Sequence, residues 1–126
     1  MTQRILVAED QDDNRRILAD LLGSAGYALS FAVTGTEAVE RARAERPNLI
    51  LMDIQLPLMD GYQATAAIKS DLALRAIPII AVTSYALSGD EARARLAGCD
   101  DYIAKPYRPR ALLALVRRHL GEPGAG

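Results

Sequence analysis

Asp53 closes the apolar run Leu49-Ile50-Leu51-Met52 and leads into Ile54-Gln55-Leu56-Pro57 and then Met59-Asp60-Gly61. A carboxylate at the mouth of a buried strand is costly unless a positive group faces it. Three other short apolar runs end in polar residues able to build a site around it. Ile5-Leu6-Val7-Ala8 is followed by Glu9-Asp10, Ile79-Ile80-Ala81-Val82 by Thr83-Ser84, and Tyr102-Ile103-Ala104 by Lys105-Pro106. Glu9, Asp10 and Asp53 gathered in one place would repel one another and hold a proton unless a cation joined them. Oxygen ligands on a partly open site suit Mg²⁺ or Mn²⁺, which keeps several waters and completes its shell with phosphate oxygens. The backbone carbonyl of Gln55 is a further candidate ligand.

For these residues to meet, the strands that carry them must lie side by side. The sequence alternates short continuous apolar runs, suited to strands buried on both faces, with longer stretches of helical spacing. This predicts an α/β domain, a doubly wound five-stranded parallel sheet of flavodoxin-like (βα)5 topology in the order 2-1-3-4-5. Strands are expected near residues 4–8, 28–32, 49–52, 78–82 and 101–104. The first helix is expected over 13–25, with Ile17, Leu18, Leu21 and Leu22 on its packed face and Gly26 as its stop. Thr34 and Glu37 have capping-box spacing for a second helix ending near Pro47, and Ser88 and Glu91 repeat it for a fourth ending at Gly98. Pro109 suits the first turn of the last helix, whose Leu112, Leu113, Leu115 and Val116 pack inward before Gly121. Residues 1–120 then form one domain and 121–126, rich in glycine, a flexible tail. Ligand sites in such sheets lie outside the carboxyl ends of the strands, where all four polar segments fall.

Composition narrows the classes. The 126 residues are half hydrophobic, enough for one domain with a substantial core and too few for two. Fifteen basic residues against sixteen acidic ones give a net charge of -1, which offers no attraction to nucleic acid or an anionic membrane. The single cysteine, Cys99, excludes an internal disulfide and fits a reducing cytosol. No apolar stretch reaches membrane-spanning length, and Met1-Thr2-Gln3-Arg4 runs directly into a strand, so neither a span nor a signal peptide is expected.

Glu9-Asp10, Asp53, Thr83 and Lys105, in that order at four strand ends, resemble the response-regulator receiver domain, the CheY-like module that takes a phosphoryl group from a histidine kinase. Met52-Asp53-Ile54-Gln55-Leu56-Pro57, Gly89-Asp90-Glu91 and Gly98-Cys99 look closest to single-domain receivers of the DivK type and to receivers of hybrid sensor kinases. The resemblance covers the whole chain. It implies that Asp53 is the phosphoacceptor, that Asp10 holds the metal directly and Glu9 through water, and that Thr83 and Lys105 contact the phosphoryl oxygens. It further implies that Tyr102 is an aromatic switch coupled to Thr83, that the bond before Pro106 is cis, and that Gln55 and Tyr85 flank the path of the hydrolytic water. Glu9 stands where many members have Asp. The partners implied are a histidine kinase or histidine phosphotransfer protein and a downstream protein target, met through the α4-β5-α5 surface of a cytoplasmic, single-domain regulator. Such a domain is a phosphoacceptor that assists its own phosphorylation and dephosphorylation, not an enzyme with a separate substrate.

The physical chemistry agrees with that implication. An aspartate nucleophile attacking phosphorus needs a cation and hydrogen-bond donors already placed for the charge that spreads over three equatorial oxygens. Taken singly, each residue has a plainer role: Asp53 as a turn residue, Glu9-Asp10 as a solvated loop, Lys105 as a surface charge, Tyr102 as half-buried core. His119 beside Arg117 and Arg118 suits the negative end of the last helix, and Cys99 reads as a small buried residue. A phosphatase of the haloacid-dehalogenase type would carry its nucleophile on the first strand and a second Asp two residues later, whereas residue 55 is Gln. A nucleotide or flavin module would need a glycine-rich loop after the first strand, where Glu9-Asp10-Gln11-Asp12-Asp13 would repel a phosphate.

Overall fold

The structure is a computed structural model that describes residues 2–83 and 90–121. Its elements alternate as β1 (Arg4–Ala8), α1 (Asp12–Ser24), β2 (Ala28–Ala32), α2 (Gly35–Glu45), β3 (Leu49–Asp53), α3 (Gly61–Ser70), β4 (Ile79–Thr83), α4 (Asp90–Ala97), β5 (Asp101–Ala104) and α5 (Pro109–Leu120). All strand pairs are parallel and the sheet order is β2-β1-β3-β4-β5, as the sequence pattern predicts. Ser84, Tyr85, the Ser88 cap and the tail residues 122–126 lie outside the described residues.

Because successive strand side chains point to opposite faces, each apolar run feeds two cores. Ile5, Val7, Leu49, Leu51 and Ile80 pack with Leu18 and Leu22 of α1 and Leu112 and Val116 of α5. Leu6, Ala8, Ile50, Met52, Ile79 and Ala81 face the other way, onto Ala38, Val39 and Ala42 of α2, Ala64 and Ile68 of α3, and Ala94 of α4. Because all strands run parallel, the carboxyl ends of β1, β3 and β4 lie along one edge of the sheet. Among the described residues no helix is long and apolar enough to cross a membrane.

Several local details differ from the sequence expectation. Helix α1 starts at Asp12, and Ile17 is 57 % exposed, because Leu18 and Leu22 alone complete the buried stripe. Thr34 caps α2 by accepting from the Glu37 N–H at 3.0 Å, but Glu37 reaches back to the Val33 N–H and not to Thr34. The complete reciprocal capping box belongs to α3, between Asp60 and Gln63, a spacing the sequence reading passed over. Gly61 is required beside it: a Cβ there would stand 2.4 Å from the Asp53 carbonyl oxygen. His119 has a partner on β5, its Nε2 lying 2.7 Å from Asp101 Oδ2, so it fastens α5 to the sheet in addition to suiting the helix end. Gly121 closes α5 at φ 75°, and its carbonyl accepts from the Tyr27 hydroxyl, which ties the first residue assigned to the tail onto the domain.

Candidate functional site

Three strands end at one place, two delivering a carboxylate and the third an ammonium. Glu9 follows β1 and its N–H is held by the Ala32 carbonyl of β2 at 2.9 Å. Asp53 is the last residue of β3, one strand over, in register with Val82 of β4. Lys105 follows β5, and its N–H donates to the Thr83 carbonyl at 2.6 Å, extending the β4–β5 pairing by one step. The Lys105-Pro106 bond is cis, as the family resemblance implies.

These side chains form one network. Lys105 Nζ donates to Glu9 Oε1 and to Asp53 Oδ2, both at 3.0 Å. The remaining Asp53 oxygen, Oδ1, accepts from the Gln55 N–H at 2.9 Å, and Glu9 Oε2 accepts from the Gln11 N–H at 3.1 Å. Glu9 and Asp53 are almost completely buried, whereas Asp10 is exposed. Burial works hardest against the charge of Lys105, but hydrogen bonds to Asp53 and then Glu9, with the attraction of both carboxylates, outweigh it and hold the ammonium above its usual range. A half-buried Lys paired twice with carboxylates stays charged.

The carboxylates of Glu9, Asp10 and Asp53 each offer an oxygen within 4.8 Å of the others. Asp10, Gln11, Asn14, Asp53, Gln55 and Lys105 line an open polar pocket of about 390 Å³. An all-oxygen, partly solvated cluster fits a hard divalent cation that keeps its waters. Both oxygens of Glu9 and both of Asp53 already accept hydrogen bonds from the chain, so the exposed Asp10 is the carboxylate most open to a new ligand. Thr83 is buried at the end of β4, beyond the residue that pairs with Asp53. Tyr102 is half-buried and packs against the α2–α3–α4 core. Ala81 pairs with Tyr102 and Thr83 with Ala104, so Thr83 and Tyr102 are two steps apart on one face of the sheet.

Sequence reasoning missed two neighbours of this site. Tyr107 packs against the α1–α5 core and, with Glu9, Asp53 and Lys105, lines a cavity of about 10 Å³ under the network, roughly one water in size. Its hydroxyl is pushed up in pKa by burial; Lys105 opposes that shift, while Glu9 and Asp53 add to it. The other is Arg15, whose guanidinium donates to the Glu9 carbonyl at 2.8 Å. Neither is marked by spacing, since Arg15 reaches back to a carbonyl six residues away and Tyr107 is brought under the network by the chain after β5. Beside the polar pocket runs an apolar groove of about 580 Å³, lined by Asn14, Ile17 and Leu21 of α1 and by Lys105, Pro106, Tyr107 and Pro109. The exposed Ile17 lies on its wall.

A family model described as response regulator receiver domain matches residues 5–117. The polar-differentiation response regulator DivK of Brucella ovis is 41 % identical over 122 residues, covering 97 % of this chain and 99 % of that protein. Among solved structures, the receiver domain of a sensor histidine kinase from Pseudomonas aeruginosa, with magnesium coordinated in its active site cleft, superposes with a TM-score of 0.89 at 38 % identity, over 97 % of this chain and all of that one. The signal receiver domain of a histidine kinase from Syntrophus aciditrophicus gives 0.88 at 34 % identity, over 94 % of this chain and 90 % of that one.

Proposed function

The chain belongs to the response regulator receiver domain family of two-component signalling, and from that membership we propose that Asp53 is its phosphoacceptor. The observation that carries this reading is the paired hold on Asp53: Lys105 on one carboxylate oxygen, the Gln55 N–H on the other, in a buried cluster that opens to solvent through the Asp10 pocket. An Asp53 oxygen attacks phosphorus in a phospho-histidine donor, the phosphorus–nitrogen bond breaks, and the imidazole departs with a proton from solvent. The product is an aspartyl phosphate, which water later hydrolyses to regenerate the carboxylate.

Asp10 and Asp53, with the Gln55 backbone carbonyl and Glu9 through water, would hold Mg²⁺; Mn²⁺ has the same ligand preferences. Bound there, the ion would neutralise charge on the carboxylates and on the transferring group. Lys105 is anchored by Glu9, so its ammonium stays at the site when the Asp53 oxygen becomes part of the mixed anhydride. The Thr83 hydroxyl donates to a phosphoryl oxygen, and Tyr102, on the same sheet face, moves with it and alters the α4-β5-α5 surface read by a protein target.

The donor is a histidine kinase or histidine phosphotransfer protein, approaching through the open pocket and seated on the apolar groove of α1 and the β5–α5 loop. Residues 1–120, with Gly121 tied to them, carry this function in the cytoplasm, and the domain has no substrate beyond its own aspartate. Treatment with a small phosphodonor and Mg²⁺ should add one hydroxylamine-labile phosphoryl group, which Asp53→Asn abolishes. Undiminished labelling of Asp53→Asn would end the assignment.

A further inference from the structure

Arg15 closes the first turn of α1, one of several charges there, and its guanidinium turns back over the β1–α1 loop. Nη1 donates to the Glu9 backbone carbonyl at 2.8 Å and Nη2 pairs with the Asp12 carboxylate. The Arg15 side chain is only 21 % exposed, so this is an ordered strap with limited freedom. Its anchor is the Glu9–Asp10 peptide unit. The Glu9 N–H is fixed from β2 by Ala32, and the Glu9 carboxylate is held by Lys105 and the Gln11 N–H. The peptide that follows, whose rotation aims Asp10, has the Arg15 bond at its carbonyl. Helix α1 begins without a side-chain cap from Gln11, so the loop lacks the usual fastening at this end.

We infer that Arg15 is a positioning residue for the cation site: by gripping the Glu9 carbonyl it sets the orientation of the Glu9–Asp10 peptide and so holds Asp10 ready to ligate. This rests on the reading of Glu9, Asp10 and Asp53 as a divalent-cation site. A guanidinium close to a cation site would by charge alone repel the ion. Asp12 answers that charge, leaving the hydrogen bond to the carbonyl as the contribution of Arg15. The strap thus opposes simple electrostatics in the sign of its effect, which makes it separable.

The test is Mg²⁺ titration of the phosphate-free protein, followed by backbone amide NMR shifts of Asp10, Gln11 and Gln55, with thermal melts of each metal-free variant in parallel. Arg15→Met should weaken Mg²⁺ binding about tenfold, the low end for residues that orient metal ligands, and should displace the Asp10 amide resonance even without metal. Arg15→Lys, which can still donate to the carbonyl, should recover most of the affinity. Asp12→Asn should change it little. If Arg15→Met binds Mg²⁺ as tightly as the parent or more tightly while Asp12→Asn binds it more weakly, net charge alone governs the loop and the strap is overturned. If the parent itself shows no saturable Mg²⁺ response at these amides, the cation site and the strap fall together; if the parent binds and Arg15→Met is unchanged, only the strap falls.

Discussion

Glu9 and Lys105 are separated by 96 residues of chain, yet their charged groups stand 3.0 Å apart with Asp53 on the other side of the ammonium. Glu9 therefore does two things with one carboxylate: it completes the acidic cluster and it anchors the only lysine in that network. Its longer side chain, where many family members carry Asp, lets it reach Lys105 while its second oxygen accepts from Gln11.

That division of labour predicts unequal metal phenotypes. Asp10→Ala should weaken Mg²⁺ binding more than Glu9→Ala, because Asp10 is exposed and uncommitted whereas both Glu9 oxygens are engaged within the protein. Glu9→Ala should instead lower phosphorylation by releasing Lys105. Mg²⁺ titrations of the two variants at fixed pH and salt decide this; equal losses of affinity would make Glu9 a direct ligand.

The fold and the network were legible in the sequence for a definite reason. Asp53 and Glu9 follow apolar runs buried on both faces, Lys105 follows the half-buried edge strand, and a parallel sheet brings such ends to one edge. What escaped notice depends on side chains that turn back along the chain. Arg15 bonds a carbonyl six residues away and His119 crosses from α5 to Asp101, and neither produces a periodic pattern. Helical spacing alone places Ile17 on the packed face, because it cannot tell a buried stripe from its flank when both are apolar. Tyr85, expected to screen the aspartyl phosphate from water, lies outside the described residues.

Lys105 also predicts a pH dependence. Its folded pKa lies above the unfolded value, so the stability it supplies is fully present below the ordinary lysine range, about 10.4, and is lost as pH rises through the folded value. Lys105→Met should destabilise the metal-free protein at pH 7 by about 1–3 kcal/mol, since two buried carboxylates lose their shared donor. Urea denaturation of parent and variant should show that gap closing at alkaline pH and narrowing at pH 7 on addition of Mg²⁺. A gap that stays constant from pH 7 to above the lysine range would mean that the lost contacts are packing and not charge.

The groove beside the pocket separates recognition of a protein donor from the chemistry. Ile17 is exposed on the groove wall and touches none of the acidic residues by hydrogen bond or charge. Ile17→Asp should reduce phosphotransfer from a cognate histidine kinase about tenfold or more, as loss of an apolar anchor does at an interface, and leave labelling by a small phosphodonor unchanged. Equal loss with both donors would place the defect in the site itself; no loss with either would move the kinase to another face.

Signal output should depend on Tyr102, whereas phosphorylation of Asp53 should not. Thr83 and Tyr102 lie on one face of the sheet, two register steps apart, and Tyr102 packs against the core formed with α3 and α4. A phosphoryl group that draws the Thr83 hydroxyl towards Asp53 changes the packing on that face and, through it, the surface of α4, β5 and α5. Coupling between two such states is typically about 1–3 kcal/mol, a factor of roughly 5 to 150 in partner affinity. Tyr102→Ala should leave phosphorylation at Asp53 nearly intact while removing most of that affinity ratio, because on the proposed reading the ring is what moves with Thr83. Binding of a downstream partner, measured by calorimetry with the phosphorylated and unphosphorylated forms of both proteins, gives the ratio directly. If Tyr102→Ala retains the full ratio, the signal leaves through a different face and Thr83 acts on the phosphoryl group alone.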